Sequence, residues 1–79
     1  MEIIFYGRPN CELCEDGKRM LNLVHEDIPF DIKEVNIEDD DTIHKKYMLM
    51  IPVVEKNGEI IQYGALDYIT LLEGIREEE

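Results

Sequence analysis

The stretch Arg8-Pro9-Asn10-Cys11-Glu12-Leu13-Cys14 decides how this chain is read. The apolar run Ile3-Ile4-Phe5-Tyr6 leads into it with the pattern of a strand covered on both faces. Gly7 ends that strand, Pro9 stiffens the approach, and helix-compatible sequence from Leu13 to about Glu26 leads out. Asn10 is the expected helix cap, with Glu12, Glu15 and Asp16 where a helix N-terminus favours carboxylates. Two thiols spaced Cys-x-x-Cys at a strand-to-helix turn can close a small disulfide ring and reopen it.

A free thiol has a pKa near ~8.5, so a reactive one needs its thiolate stabilised. Cys11, at the helix start, faces unpaired backbone N–H groups and the positive end of the helix dipole. Cys14, one turn further in, is expected to be more covered. Cys11 therefore attacks and Cys14 resolves, displacing the substrate from the mixed disulfide. Arg8 is the nearest cation in sequence, placed to favour the Cys11 thiolate or to hold an acidic substrate group. Glu12, Glu15 and Asp16 oppose it.

Beyond the cysteines, Leu13, Gly17, Met20, Leu21 and Val24 form one helical stripe, on which Gly17 marks a close approach to the sheet. Pro29 closes the helix region. Phe30 to Ile37 reads as a second strand whose apolar residues change phase, so a half-turn or bulge is expected near Lys33-Glu34. The acidic run Glu38 to Asp41 starts a short helix over about Asp41 to Tyr47. Val53 to Lys56, Asn57-Gly58 and Glu59 to Tyr63 make a hairpin, because Asn-Gly accepts positive φ at both turn positions. Leu66, Ile69, Leu72 and Ile75 mark the apolar side of a last helix, and the tail from Arg76 to Glu79 is expected to fray. The order β-α-β-α-β-β-α implies a parallel front pair joined by a right-handed crossover, plus an antiparallel hairpin. The expected fold class is α/β, a four-stranded mixed sheet flanked by helices.

A length of 79 residues allows one domain, 1–79, with a modest core. The formal net charge of −11 argues against nucleic acid and anionic membrane as partners. Solubility explains that charge, and a basic protein partner is the other reading. The apolar run after Met1-Glu2 is too short for a secretory core, and nothing reaches the length of a membrane span. A cytoplasmic, monomeric protein with a mostly reduced cysteine pair is the expectation. A zinc site would need His25 and His44 beside the cysteines, at a spacing that matches no finger, so no metal is expected. His25 is expected at helix carbonyls or solvent, and His44 on a solvated face. The tyrosines Tyr6, Tyr47, Tyr63 and Tyr68 read as partly buried packing residues, with Tyr6 placed to line the active loop.

Strand, Cys-x-x-Cys, helix, Ile-Pro before a hairpin, then Gly and Asp before the last helix: this arrangement resembles glutaredoxins and other short thioredoxin-like proteins over essentially the whole chain. It is most similar to small glutaredoxin-like proteins that open with Tyr-Gly-Arg-x-x-Cys-x-x-Cys. The resemblance implies a thioredoxin-like fold, Cys11 as nucleophile and Cys14 as resolving thiol. It puts Arg8 where glutaredoxins often carry a thiolate-supporting Lys, and Pro52 at the family's cis-proline opposite the cysteines. It implies that Ile51 offers backbone N–H and C=O groups to an extended peptide or to glutathione. It sets Gly64 and Asp67 in the segment that binds the γ-glutamyl end of glutathione. Here Cys-Glu-Leu-Cys replaces Cys-Pro-Tyr-Cys, Ile51-Pro52 replaces Thr-Val-Pro, and a single Gly64 stands where two glycines are common.

The resulting expectation is a thiol–disulfide oxidoreductase acting on protein or glutathione mixed disulfides. It would hold no tight cofactor and take electrons from glutathione or a flavin disulfide reductase. The competing readings are a docking module that keeps the fold without catalysis, and a glutathione-bridged iron–sulfur or metal carrier using Cys11.

Overall fold

The computed structural model describes residues 1–76; positions 77–79, where most of the expected fraying falls, lie outside the described residues. In chain order it has β1 (Glu2–Gly7), α1 (Glu12–Asp27), β2 (Asp31–Asn36), a 3-10 turn (Ile37–Asp39) and α2 (Asp41–Tyr47). There follow β3 (Val53–Lys56), β4 (Glu59–Tyr63) and α3 (Tyr68–Arg76). The sheet order is β2-β1-β3-β4, with β1 and β2 parallel and the other pairings antiparallel. This is the expected four-stranded mixed sheet.

Alternation along the strands supplies two cores. Ile3, Phe5 and Val54 face Leu21 and Val24 of α1 and Leu71 and Ile75 of α3. Tyr6 and Val53 face the other way, onto Ile37 and Tyr47. Each fully buried aliphatic side chain contributes about 1.5–3 kcal/mol, enough to outweigh the ~1 kcal/mol that Gly17 costs the helix.

The two cores also remove the need for the half-turn or bulge expected in β2. Its ladder with β1 runs unbroken from Glu2 opposite Asp31 to Gly7 opposite Asn36. Phe30 and Ile32 serve the α1–α3 core, whereas Val35 and Ile37 serve the α2 core. The change of phase is a change of face. The irregularity lies instead in the hairpin, where Val54 pairs with Gln62 but Glu55 with Ile60. Its turn has Asn57 at φ +53° and Gly58 at φ +82°, the conformation Asn-Gly favours.

Three further expectations are corrected. Asn10 does not cap α1: it takes a left-handed conformation (φ +57°), so the chain turns one residue later and Cys11 is the cap. That phase turns Cys14, with Gly17, Leu21 and Val24, onto the core and leaves Leu13 44% exposed. In α3, Leu71 and Ile75 are the buried residues and Ile69 points outward.

Candidate active site

Cys11 and Cys14 are joined in a disulfide with their Cα atoms 5.2 Å apart. Capping explains how the pair is held. The Cys11 backbone is extended, its carbonyl accepts the Glu15 N–H at 3.0 Å, and its Sγ accepts the Cys14 N–H at 3.2 Å. A sulfur thus takes the place of the usual Ser, Thr, Asp or Asn oxygen at a helix start. The two thiols differ in access: Cys11 is half-buried, and Cys14 is 5% exposed within the α1–α3 core.

Pro52 is fully buried and follows a cis peptide bond from Ile51. Cys11, Ile51 and Leu66 pack against the same core that holds Cys14, so the two loops meet there. The pre-proline loop is tied internally. The Tyr47 carbonyl accepts the N–H groups of Met50 (2.8 Å) and Ile51 (3.1 Å). The Ile51 N–H is therefore engaged within the loop, contrary to the expectation from resemblance that it is offered to a substrate.

Gly64, at φ +77°, donates its N–H to the carbonyls of Met50 (3.1 Å) and Pro52 (2.9 Å), closing β4 onto that loop. Asp67 caps α3. Its carboxylate accepts from the Thr70 N–H (2.8 Å), the Thr70 hydroxyl (3.0 Å) and Gln62 Nε2 (2.9 Å). The Thr70 N–H first, then the Gln62 and Thr70 side chains, lower its pKa. The carboxylate assigned to a ligand is thus engaged by the fold itself.

Arg8 is exposed and lines an open cleft of about 480 Å³ with Phe5, Cys14, Lys18, Glu34 and Asp39. Lys18 and Glu34 form an ion pair across it, leaving Arg8 the cation without a carboxylate partner among the cleft's described residues. A second cavity of about 490 Å³, between the hairpin and α3, contains no thiol. His25 stacks edge-on against Phe30, at 4.9 Å between ring centroids. Among the described residues, no three His, Cys, Asp or Glu side chains form a metal-holding group. No helix among them is long and apolar enough to cross a membrane.

Tyr6 does not line the cysteine loop. It points into the α2 core, 4.8 Å from the Tyr47 ring, and donates its hydroxyl to Glu55 Oε1 at 3.1 Å. The Tyr47 hydroxyl donates to Glu55 Oε2. This buried trio escaped the sequence reading. No local signal marks it: Glu55 follows two valines in a four-residue strand, where an acid beside Lys56 reads as solvent-facing.

The family described as Glutaredoxin-like domain (DUF836) matches residues 2–76. No curated protein matches the chain. A structural-genomics target protein from X. campestris is similar in structure at a TM-score of 0.83 and 22% identity, covering 98% of this chain and 99% of that one. A protein from Nitrosomonas europaea is similar at 0.75 and 22% identity, covering 89% and 85%. Thioredoxin 1 from Thermosipho africanus superposes at a TM-score of 0.67 and 15% identity, covering 95% and 90%.

Proposed function

Because the chain belongs to the glutaredoxin-like domain family and has a thioredoxin fold, we propose that it is a thiol–disulfide oxidoreductase working through Cys11 and Cys14. The observation that carries this reading is the asymmetry of the pair: a half-buried sulfur at a helix N-cap, bonded to a buried one a turn away.

In the reduced protein the Cys11 thiolate attacks a substrate disulfide, forming a mixed disulfide and releasing one substrate thiolate. The Cys14 thiolate then attacks Cys11 Sγ, and the second substrate thiolate leaves. The substrate has gained two electrons and the protein holds the Cys11–Cys14 disulfide. Two molecules of glutathione, or the dithiol of a flavin disulfide reductase, return those electrons by the same exchange in reverse. The first-turn N–H groups and Arg8 favour the attacking thiolate, and Glu12 opposes it. Substrate docks beside Ile51–Pro52 through the Ile51 carbonyl. Such a cycle belongs in a reducing compartment, and the cytoplasm, with a monomeric protein, is the proposed setting.

The test is reduction of insulin and of a glutathione mixed disulfide, supplying glutathione or a flavin reductase in turn. Turnover with one donor is expected. If no donor supports turnover and Cys11 resists electrophiles at neutral pH, the chain is a docking module.

A further inference from the structure

Among the described residues one charged side chain is buried, Glu55, 7% exposed on β3. Its two oxygens go to different parts of the site. Oε1 accepts from Tyr6, on β1 one residue before Gly7, where the cysteine loop departs. Oε2 accepts from Tyr47, whose carbonyl holds the N–H groups of Met50 and Ile51. One carboxylate thus grips the bases of both loops that meet at the disulfide.

Cohesion alone does not call for this arrangement. A buried carboxylate carries a large desolvation cost, and an apolar side chain of similar volume often serves stability as well or better. What a carboxylate adds is direction: two oxygens at a fixed separation, each requiring a donor in one place. Both hydroxyls remain donors, since burial first, and the Glu55 carboxylate second, raise the tyrosine pKa values.

We propose that Glu55 is a positioning residue that, through Tyr6 and Tyr47, sets the Ile51–Pro52 loop relative to the cysteine loop and so governs the docking of polypeptide disulfides. The proposal rests on the reductase reading. Tyr47→Phe removes one grip while leaving the backbone carbonyl that holds Met50 and Ile51. A polypeptide spans both loops and feels their separation; a disulfide as small as bis(hydroxyethyl) disulfide needs only the sulfurs.

The experiment is steady-state kinetics of the wild-type chain, Tyr47→Phe and Tyr6→Phe with dithiothreitol as reductant, on insulin and on bis(hydroxyethyl) disulfide. Alkylation of Cys11 and the folded fraction are measured alongside. In the tyrosine variants KM for insulin is expected to rise about tenfold, as small misplacements in a docking geometry do. The rate with the small disulfide and the alkylation rate should stay within about twofold. Glu55→Gln, which keeps one acceptor oxygen, should fall between wild type and Tyr47→Phe. An unchanged KM for insulin overturns the proposal, as does a loss shared by both substrates in step with the folded fraction. A wild type that reduces neither substrate removes the reductase reading and this inference with it; a wild type that reduces both, beside unaffected variants, removes only the inference.

Discussion

Gly17 lies against Pro52 with space for a hydrogen and nothing larger. A β-carbon at position 17 would come within 3.0 Å of Pro52 Cγ and 2.7 Å of Leu66 Cδ1. The helix that begins at the cysteines is thereby seated on the proline loop. The close approach that the sequence suggests for Gly17 is made to loops, not to the sheet.

Gly17→Ala should destabilise the protein by about 1 kcal/mol. The helix gains roughly 1 kcal/mol from alanine, but overpacking costs about 1–3 kcal/mol. The Leu66 methyl can rotate aside; the Pro52 ring cannot. Urea unfolding should show a lower midpoint with an unchanged slope. A raised midpoint would mean that the loop yields at no cost.

Asp67 gives a pH signature. Its pKa in the folded chain lies below the ordinary 3.8, chiefly through the Thr70 N–H, then Gln62 and the Thr70 hydroxyl. The carboxylate's contribution is therefore present above about pH 4 and is lost as pH falls through the lower folded value. Asp67→Ala should lower the thermal midpoint at pH 7, and the gap from wild type should narrow below pH 4. A gap that is constant with pH would show that the charged cap contributes nothing.

How legible all this was depended on range. Cys11 and Cys14, Asn57-Gly58 and the helix from Asp41 are set by neighbours a few residues away, and all are where the sequence puts them. The bond between Tyr6 and Glu55 joins residues 49 positions apart, which no local pattern announces. Glu55 in isolation looks like a solvated hairpin residue, and Tyr6 like a neighbour of the active loop. The phase of α1 was missed for a smaller reason. Asn10 is a good cap in general, but its left-handed backbone hands that role to Cys11 and rotates Leu13 outward. Likewise, the change of phase along β2 needs no bulge, because Val35 and Ile37 serve a second core on the other face.

The electrostatics of the cysteine loop can be separated by substitution. Arg8 is exposed there, while Glu12 and Glu15 occupy the first turn of α1. Exposed charges interact weakly, so effects of about twofold are expected. In the reduced protein, Arg8→Ala should slow alkylation of Cys11 at pH 7 and Glu12→Gln should speed it. Both effects should shrink in high salt, where the Debye length falls to about 3 Å at 1 M. Rates unchanged in both variants would leave the helix N-terminus as the sole activator.

The division of labour between the two sulfurs is tested most directly by trapping. The reduced Cys14→Ser and Cys11→Ser variants are each mixed with a disulfide-containing protein and resolved by non-reducing electrophoresis and intact mass. With Cys11 the half-buried attacker and Cys14 the buried resolver, Cys14→Ser should accumulate a stable mixed disulfide through Cys11, and Cys11→Ser should accumulate none. An adduct on Cys14 in the Cys11→Ser variant, with none on Cys11 in its counterpart, would contradict the proposed cycle.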